Sequence, residues 1–275
     1  MKVYFITRFS IYDPQFRGFR LTADYTQKEY ERRLFGKDRL DHKFDAFQNI
    51  TLRSIVEQSC DDWKWLIFTS DRMPDEYKKR LHVLVEDYSN IALLSVKDFN
   101  EFFEKVSSYD YGNSFATVRI DDDDGLSGCF VEKLQQYSKN AGSIVSFTEG
   151  ALVKYAKGSL MLGEQISAKN NALGLTGIGV NIYSCGRHSD IDARYPVIYD
   201  STPDMYLLTC SPFTDTKRGF TAAERNLVKF KRLVFLIFHR PLEVPGECAV
   251  FFRKRLRYLS TVLSTKGPKR KGAVH

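Results

Sequence analysis

The sequence ATVRIDDDDGL at residues 116–126 decides how the rest of the chain is interpreted. Apolar and β-branched residues lead into four consecutive aspartates, Asp121, Asp122, Asp123 and Asp124, which we call the aspartate run. Adjacent carboxylates at the end of a buried strand repel one another, and their desolvation is costly unless a cation binds there. Mg²⁺ and Mn²⁺ suit such oxygen ligands and are commonly held by one or two carboxylates together with substrate phosphates. The run therefore predicts a metal-bound phosphate ester. A solvated acidic turn, in which Asp and Gly are favoured, is the alternative.

The overall composition is that of a globular protein. The chain has 275 residues, of which 43% are hydrophobic and 27% are charged, enough for one large domain or two small ones. It contains no run of 18 or more apolar residues, so no membrane-spanning helix is predicted. The sequence begins with an apolar strand and lacks the layout of a signal peptide. Five scattered cysteines form no CxxC pair, which favours reduced cytoplasmic thiols over disulfides or a zinc site.

Charge is unevenly distributed along the chain. Residues 216–275 contain 15 Lys or Arg and 3 Asp or Glu, whereas the whole chain has a net charge of +7. A mildly acidic body, residues 1–215, is thus followed by a strongly basic segment with helix-like apolar spacing. Such asymmetry predicts an anionic surface as a partner. A membrane is favoured over nucleic acid, because no nucleic-acid-binding motif accompanies the basic residues.

Strand-like and helix-like segments alternate over the first half of the chain, which predicts a parallel sheet with right-handed crossovers. Ligands of such sheets bind at the carboxyl ends of the strands. Thr7 and Arg8 end the first predicted strand, Ser70 and Asp71 end the second, and the aspartate run ends a later one. We therefore expect these residues to line one crevice.

Two further segments carry structural expectations. Residues 11–41 are rich in Arg, Tyr and Asp and are predicted to form a long loop over the protein. A loop of that length is usually functional or mobile. Residues 143–147 and 152–155 are predicted to be paired strands on either side of a turn.

Three segments resemble a known protein family: TRF at residues 7–9, LRSIVEQ followed by DWKWLIF at residues 52–68, and RIDDDDGL at residues 119–126. Together they resemble the rhamnosyltransferases, a bacterial group of GT-A glycosyltransferases, over roughly residues 1–215. The resemblance implies an α/β fold with a Rossmann-like, mostly parallel central sheet flanked by helices. We expect a basic helical extension, residues 216–275, to follow that domain.

The resemblance also implies a DxD-type site at Asp121, Asp122 and Asp123. In such sites the last aspartate, here Asp123, binds Mn²⁺ or Mg²⁺ on the diphosphate of a nucleotide sugar. Asp121 contacts the ribose or sugar and is a second candidate metal ligand, and Asp124 supports either role or orients the donor sugar. The residues expected to contact the nucleotide sugar are Thr7, Arg8, Ser70, Asp71, Arg119, Asp121 and Asp122.

Candidates for catalysis and for further metal ligation lie in and beyond the run. Glu149 and Asp124 form the expected catalytic set; Glu149 would be the base, although a turn residue at a strand end is the alternative. His188, in a polar turn, is a further candidate metal ligand, with an exposed histidine as the alternative. Asp215 and Glu164 are weaker candidates for the base.

Two of the expected nucleotide contacts have structural alternatives. Arg8 could instead be a buried ion-pair partner for the aspartate run. Asp71 could instead cap the helix that follows it.

These observations predict a cytoplasmic, metal-dependent glycosyltransferase, peripheral at the inner membrane face through its basic segment. It would move a sugar, with rhamnose as a candidate, from a nucleotide-sugar donor to a glycan or lipid-linked acceptor in bacterial surface polysaccharide synthesis. An inverting displacement is expected, in which a carboxylate deprotonates the acceptor hydroxyl. Another metal-dependent nucleotide-phosphate enzyme, such as a nucleotidyltransferase, and a non-catalytic polyanion-binding protein are the alternatives.

Overall fold

The computed structural model describes residues 1–15, 25–156, 159–211 and 213. Asp215 and the basic helical segment 216–275 with its membrane contact, both expected from the sequence, lie outside those residues. For Glu164 the described structure covers the backbone alone. Within the described part of the chain, the helices are all too short or too polar to cross a membrane.

Strands and helices alternate along the first half, as the sequence predicts. The strands are β1 (Lys2–Phe9), β2 (Trp63–Ser70), β3 (Ile91–Val96), β4 (Phe115–Arg119), β5 (Gly125–Leu126), β6 (Ile144–Phe147), β7 (Glu149–Ala156), β8 (Ser159–Ser167), β9 (Thr176–Ile178), β10 (Val197–Asp200) and β11 (Tyr206–Cys210). The helices are α1 (Gln27–Leu34), α2 (Lys37–Ala46), α3 (Leu52–Val56), α4 (Asp75–Val85), α5 (Phe99–Ser108) and α6 (Phe130–Gln135). A π-helical turn, Phe47–Thr51, joins α2 to α3, and two 3₁₀ turns span Ile182–Ser184 and His188–Ala193.

The central sheet has seven strands in the order β10-β6-β9-β4-β1-β2-β3. Strands β4, β1, β2 and β3 are parallel to one another, and β9 is antiparallel to both of its neighbours. A parallel sheet is covered on both faces, so its strands are apolar almost throughout. The sheet is mostly parallel and flanked by helices, which confirms the expected α/β fold class.

Alternate residues of the central strands pack on opposite faces of this sheet. Phe5 and Trp65 belong to one buried cluster, with the α2, α4 and α6 side of the molecule. Ile6 and Phe68 belong to the other, with α5 and the first 3₁₀ turn. The two cores follow from the two-residue periodicity of a strand.

A second sheet of four strands, in the order β5-β11-β7-β8, packs beside the first. The predicted pairing of residues 143–147 with 152–155 is wrong. Strand β6 pairs with β9 and β10 in the central sheet, whereas β7 pairs with β8 and β11 in the second. Gly150 allows the β7–β11 contact, because a Cβ there would lie 2.4 Å from the ring of Tyr206.

The predicted loop at residues 11–41 is also wrong for part of its length, since it contains α1 and the start of α2. Thr26 caps α1 by accepting a hydrogen bond from the backbone N–H of Glu29 at 3.3 Å. Thr followed three residues later by Glu is the capping-box pattern, which indicates a helix start in the sequence itself.

Candidate active site

The carboxyl ends of β1, β2 and β4 lie at one edge of the central sheet because these strands are parallel. The chain leaves β4 directly into the aspartate run at that edge. Arg8, near the end of β1, lies with one guanidinium nitrogen 3.7 Å from a carboxylate oxygen of Asp121. A cleft of about 520 Å³ opens there, and all four aspartates of the run line it.

The four aspartates fall into two pairs with different surroundings. Asp122 is buried and binds the ammonium of Lys43 with both carboxylate oxygens. Asp124 is buried and accepts a hydrogen bond of 2.7 Å from the backbone N–H of Thr209 on β11. Asp121 is partly exposed beside Arg8. Asp123 is partly exposed and makes no hydrogen bond or ion pair with the described residues.

Burial and neighbouring charges shift the pKa values of three aspartates of the run. Burial would raise the pKa of Asp121, but the positive charges of Arg119 and Arg8 outweigh it and lower that pKa. Burial, followed by the negative charge of Asp122, raises the pKa of Asp123 to about 7. Burial and the charges of Asp123 and Asp121 raise the pKa of Asp124 well above its ordinary value. The run therefore favours an additional positive charge in the cleft.

Among the residues that the structure describes, four Arg or Lys side chains line the same cleft: Arg8, Arg39, Lys43 and Arg119. The guanidinium of Arg8 lies 5.7 Å from the ring centre of Phe99. Such fixed cations are suited to bind phosphate oxygens. The cleft thus presents carboxylates and cations side by side, an arrangement that can bind a metal and a diphosphate together.

Neither Arg39 nor Lys43 is among the site residues expected from the sequence: Arg39 lies in the predicted loop at residues 11–41, and Lys43 follows that loop without a motif of its own. Both belong to α2 and are one helical turn apart, so they share a face. Arg39 is buried and donates to the hydroxyl of Ser10 at 3.1 Å and to the carbonyl of Leu34 at 2.7 Å. The i, i+4 spacing of Arg39 and Lys43 indicates a shared face only if the segment is helical.

His188 and Asn171 form another part of the lining. The Nδ1 atom of His188 lies 2.9 Å from the backbone carbonyl oxygen of Asn170, so it is the donor and Nε2 is left for another partner. The buried amide nitrogen of Asn171 has no hydrogen-bond partner among the described residues. Within those residues, no group of three or more His, Cys, Asp or Glu side chains is arranged to hold a metal. A bound cation would therefore need ligands from a substrate or from water.

Three of the expected nucleotide contacts, Thr7, Ser70 and Asp71, do not belong to the cleft lining within the described part of the chain. Thr7 is buried and accepts a hydrogen bond of 2.9 Å from the indole N–H of Trp65. Ser70 is also buried, and Asp71 is exposed beyond the end of β2. Helix α4 has no side-chain cap, so Asp71 does not cap it. Their roles in nucleotide binding remain predictions.

Glu149, the expected base, lies at the start of β7 and likewise outside the cleft lining that the structure describes. Its carboxylate accepts hydrogen bonds from the hydroxyls of Ser167 at 2.6 Å and Thr148 at 3.0 Å. Its backbone carbonyl accepts from Met205, four residues before the Thr209 that binds Asp124. At about 3.3 Å per residue along a strand, the backbone positions of Met205 and Thr209 are roughly 13 Å apart. The structure thus does not bring Glu149 together with the run, and its role remains a prediction.

A mostly parallel α/β sheet with a carboxylate-rich cleft at the strand ends is the arrangement expected of a GT-A glycosyltransferase. The model of the family described as "Putative rhamnosyl transferase" matches residues 2–223. The chain belongs to this family, which confirms the resemblance noted in the sequence.

Several solved structures are distantly similar to the chain. S. aureus TarS 1–349, in complex with UDP-GlcNAc, is 10% identical, with 95% of this chain and 72% of that chain covered and a TM-score of 0.44. The mannosyltransferase PcManGT from Pyrobaculum calidifontis, in complex with GDP-Man and Mn²⁺, is 11% identical, with 95% and 73% covered and a TM-score of 0.41. The 4-diphosphocytidyl-2C-methyl-D-erythritol synthase from Anaerococcus prevotii is 11% identical, with 82% and 96% covered and a TM-score of 0.41. No curated protein sequence matches the chain.

Proposed function

We propose that the protein is a metal-dependent glycosyltransferase that moves a sugar, with rhamnose as a candidate, from a nucleotide-sugar donor to a glycan or lipid-linked acceptor. The proposed setting is the synthesis of bacterial surface polysaccharide. One observation carries the proposal: the cleft holds two partly exposed carboxylates, Asp121 and Asp123, next to the guanidinium groups of Arg8 and Arg119. Carboxylates beside cations suit a metal-bound diphosphate better than a sugar or a peptide alone.

The donor set fits a divalent cation. Asp123 has an oxygen-only side chain and no partner within the described residues, and its pKa is raised to about 7 by burial and by the charge of Asp122. Asp121 and Asp123 would hold Mn²⁺ or Mg²⁺, with His188 as a candidate further ligand. Two carboxylates leave most coordination positions for phosphate oxygens and water, as is usual for Mg²⁺. When bound, the cation would act as a Lewis acid on the leaving diphosphate.

The chain's own residues would provide the remaining stabilisation. Arg8 and Arg119 would bind the diphosphate oxygens, whose negative charge grows as the bond to the sugar breaks. Because both guanidinium groups are held beside aromatic rings, including that of Tyr183 at 5.5 and 5.7 Å, they need little rearrangement to do so. Thr7, Ser70 and Asp71 would contact the nucleoside from the ends of β1 and β2.

The proposed displacement is inverting and needs a carboxylate to accept the proton of the acceptor hydroxyl. Asp124 lines the cleft, and its Oδ1 accepts the Thr209 N–H while Oδ2 has no hydrogen bond with the described residues. Glu149 is the other candidate. Loss of turnover with retained donor binding in Asp124→Asn, but not in Glu149→Gln, would assign the base to Asp124.

Turnover of the donor is the direct test of this function. Nucleotide sugars would be incubated with the protein and Mn²⁺ or Mg²⁺, and released nucleoside diphosphate measured by mass spectrometry. We expect at least one donor to be hydrolysed, with loss of activity in Asp123→Asn and in EDTA, and full activity in Asp87→Asn, an exposed control in the turn after α4. Release of pyrophosphate from a nucleoside triphosphate would instead favour a nucleotidyltransferase. Binding without any turnover would favour a polyanion-binding protein.

We also propose that the protein associates with the inner face of the membrane through residues 216–275. The support is their 15 basic and 3 acidic residues, since each basic residue near an anionic leaflet contributes about 1 kcal/mol. Co-sedimentation with anionic liposomes should weaken as salt is raised and should drop when residues 253–275 are removed. Equal sedimentation with neutral liposomes would contradict the proposal. Salt-dependent binding to nucleic acid alone would favour the other anionic partner.

A further inference from the structure

A buried ion pair crosses from helix α2 to the aspartate run. The ammonium group of Lys43 binds both carboxylate oxygens of Asp122, a residue 79 positions away in the sequence. The two side chains are only 12% and 4% exposed. The ring of Phe9, with its centre 5.8 Å from Nζ of Lys43, covers the pair from one side. Removing one partner of such a buried pair leaves an uncompensated charge and is strongly destabilising.

The pair has a specific consequence for the cleft. The ammonium on both oxygens of Asp122 neutralises the charge of that carboxylate and repels a divalent cation that approaches it. Of the remaining three aspartates, Asp124 is buried, and its Oδ1 accepts the hydrogen bond from the backbone of β11. Asp121 and Asp123 are thus the two members of the run that line the cleft with partly exposed carboxylates.

We propose that Lys43 is a positioning residue, which withholds Asp122 from the metal and so restricts the cation to Asp121 and Asp123. This inference rests on the proposed metal-dependent function. The number of charged ligands sets both the affinity for a divalent cation and the coordination positions left for substrate. A third carboxylate would bind the cation more tightly and displace the diphosphate oxygens that it must hold during turnover. Lys43 therefore lowers the affinity for the cation and leaves coordination positions of the cation open for the diphosphate oxygens.

Metal affinity in the absence of donor separates this role from a merely structural one. Binding of Mn²⁺ to the full chain would be measured by electron paramagnetic resonance of the free ion. We expect Lys43→Met to bind Mn²⁺ about 5- to 10-fold more tightly than wild type and to lose at least 10-fold in kcat for donor hydrolysis. Lys43→Arg, which keeps the ion pair, should restore both values most of the way. Lys37→Met, an exposed lysine on the same helix that pairs with Asp41, is the matched control and should change neither.

The unpaired charge of Asp122 could prevent Lys43→Met from folding, so a second variant is needed. In Lys43→Met with Asp122→Asn the pair is replaced by two uncharged side chains. Because Asp122 is not a ligand in the proposed site, this double variant should keep the wild-type Mn²⁺ affinity within about twofold. Circular dichroism would establish that each variant is folded.

The outcomes distinguish this inference from the proposed function. Wild-type protein that binds Mn²⁺, combined with unchanged or weaker binding in folded Lys43→Met, would overturn the role of Lys43 alone. A loss of threefold or more in the affinity of the double variant would also overturn it, because Asp122 would then be a ligand. Wild-type protein that binds no Mn²⁺ and hydrolyses no donor would overturn the proposed function together with this inference.

Discussion

Replacing Asp123 by Asn should stabilise the metal-free protein at the same time as it abolishes metal binding. The carboxylate of Asp123 lies among three other aspartates, and burial followed by the charge of Asp122 raises its pKa from 3.8 to about 7. A group whose pKa is higher in the folded state binds its proton more tightly there. The folded protein is therefore most stable, with respect to this group, below about pH 4, and it loses that stability as the pH rises to about 7.

The size of the effect follows from the same shift. One pKa unit corresponds to 1.36 kcal/mol, so a rise from 3.8 to about 7 sets an upper limit of about 4 kcal/mol. Asp123 is partly exposed, and screening by water reduces the measurable effect to about 1 to 2 kcal/mol. Asparagine has the same shape without the charge. At pH 8 in EDTA, Asp123→Asn should thus have a free energy of unfolding about 1 to 2 kcal/mol above that of wild type, and at pH 5 most of this difference should disappear.

Urea unfolding in EDTA at pH 5 and pH 8 is the appropriate assay, followed by the fluorescence of the two buried tryptophans, Trp63 and Trp65. Asp87→Asn, on an exposed turn, is the control and should match wild type at both pH values. Addition of Mn²⁺ should stabilise wild type at pH 8 and leave Asp123→Asn unchanged, since only a protein that binds the ion gains from it. If Asp123→Asn were no more stable than wild type at pH 8, the repulsion inferred for the aspartate run would be refuted.

Two other variants test the cleft and the sheet edge. Asn171→Ala removes a buried amide nitrogen that has no partner among the described residues, so it should raise the KM for the donor about 2- to 10-fold with little change in kcat. The control Asn113→Ala, at an exposed position, should leave the KM unchanged. An unchanged KM in Asn171→Ala would contradict a role of Asn171 in substrate binding. Burial would raise the pKa of Asp200, but hydrogen bonds, including one of 2.5 Å from the hydroxyl of Tyr137, lower it. Tyr137→Phe removes that hydrogen bond and should reduce the free energy of unfolding at pH 7 by about 1 kcal/mol. Because the lowered pKa stabilises the folded state above about pH 4, this loss should shrink as the pH falls below that value; a loss independent of pH would contradict the assignment.

The position of the site could be predicted from sequence because it depends on local patterns. A β-branched run that ends in charged residues indicates a strand end, and alternation with helices indicates parallel strands. These two rules predict that the aspartate run lies at the carboxyl edge of the sheet, where β4 does end. The family resemblance added the assignment of Asp123 to the metal.

The surroundings of the run could not be predicted in the same way, because they depend on tertiary contacts. Lys43 meets Asp122 across 79 residues, and Thr209 meets Asp124 across 85. The residues that flank Lys43 and Thr209 in the sequence form no motif that would indicate these contacts. The division of the run into two buried and two available carboxylates is therefore a property of the fold.

The wrong pairing of β6 with β7 has a similar cause. The two strands are separated by a single residue, Thr148, and short connections usually join paired neighbours. Here Thr148 marks the change from one sheet to the other, and its hydroxyl donates to the carboxylate of Glu149 at 3.0 Å. The start of helix α1, in contrast, is marked in the sequence by the capping-box pair Thr26 and Glu29.

Calorimetric titration of nucleoside diphosphates into the protein, with Mn²⁺ or with EDTA, tests the central claim most directly. UDP, GDP and dTDP would each be titrated into wild type, Asp121→Asn and Asp123→Asn. The expected result is that at least one nucleotide binds to wild type only when Mn²⁺ is present, and that either substitution abolishes this metal-dependent binding. Binding of equal strength in EDTA, or unaltered binding in Asp123→Asn, would contradict a metal-bound diphosphate at the aspartate run.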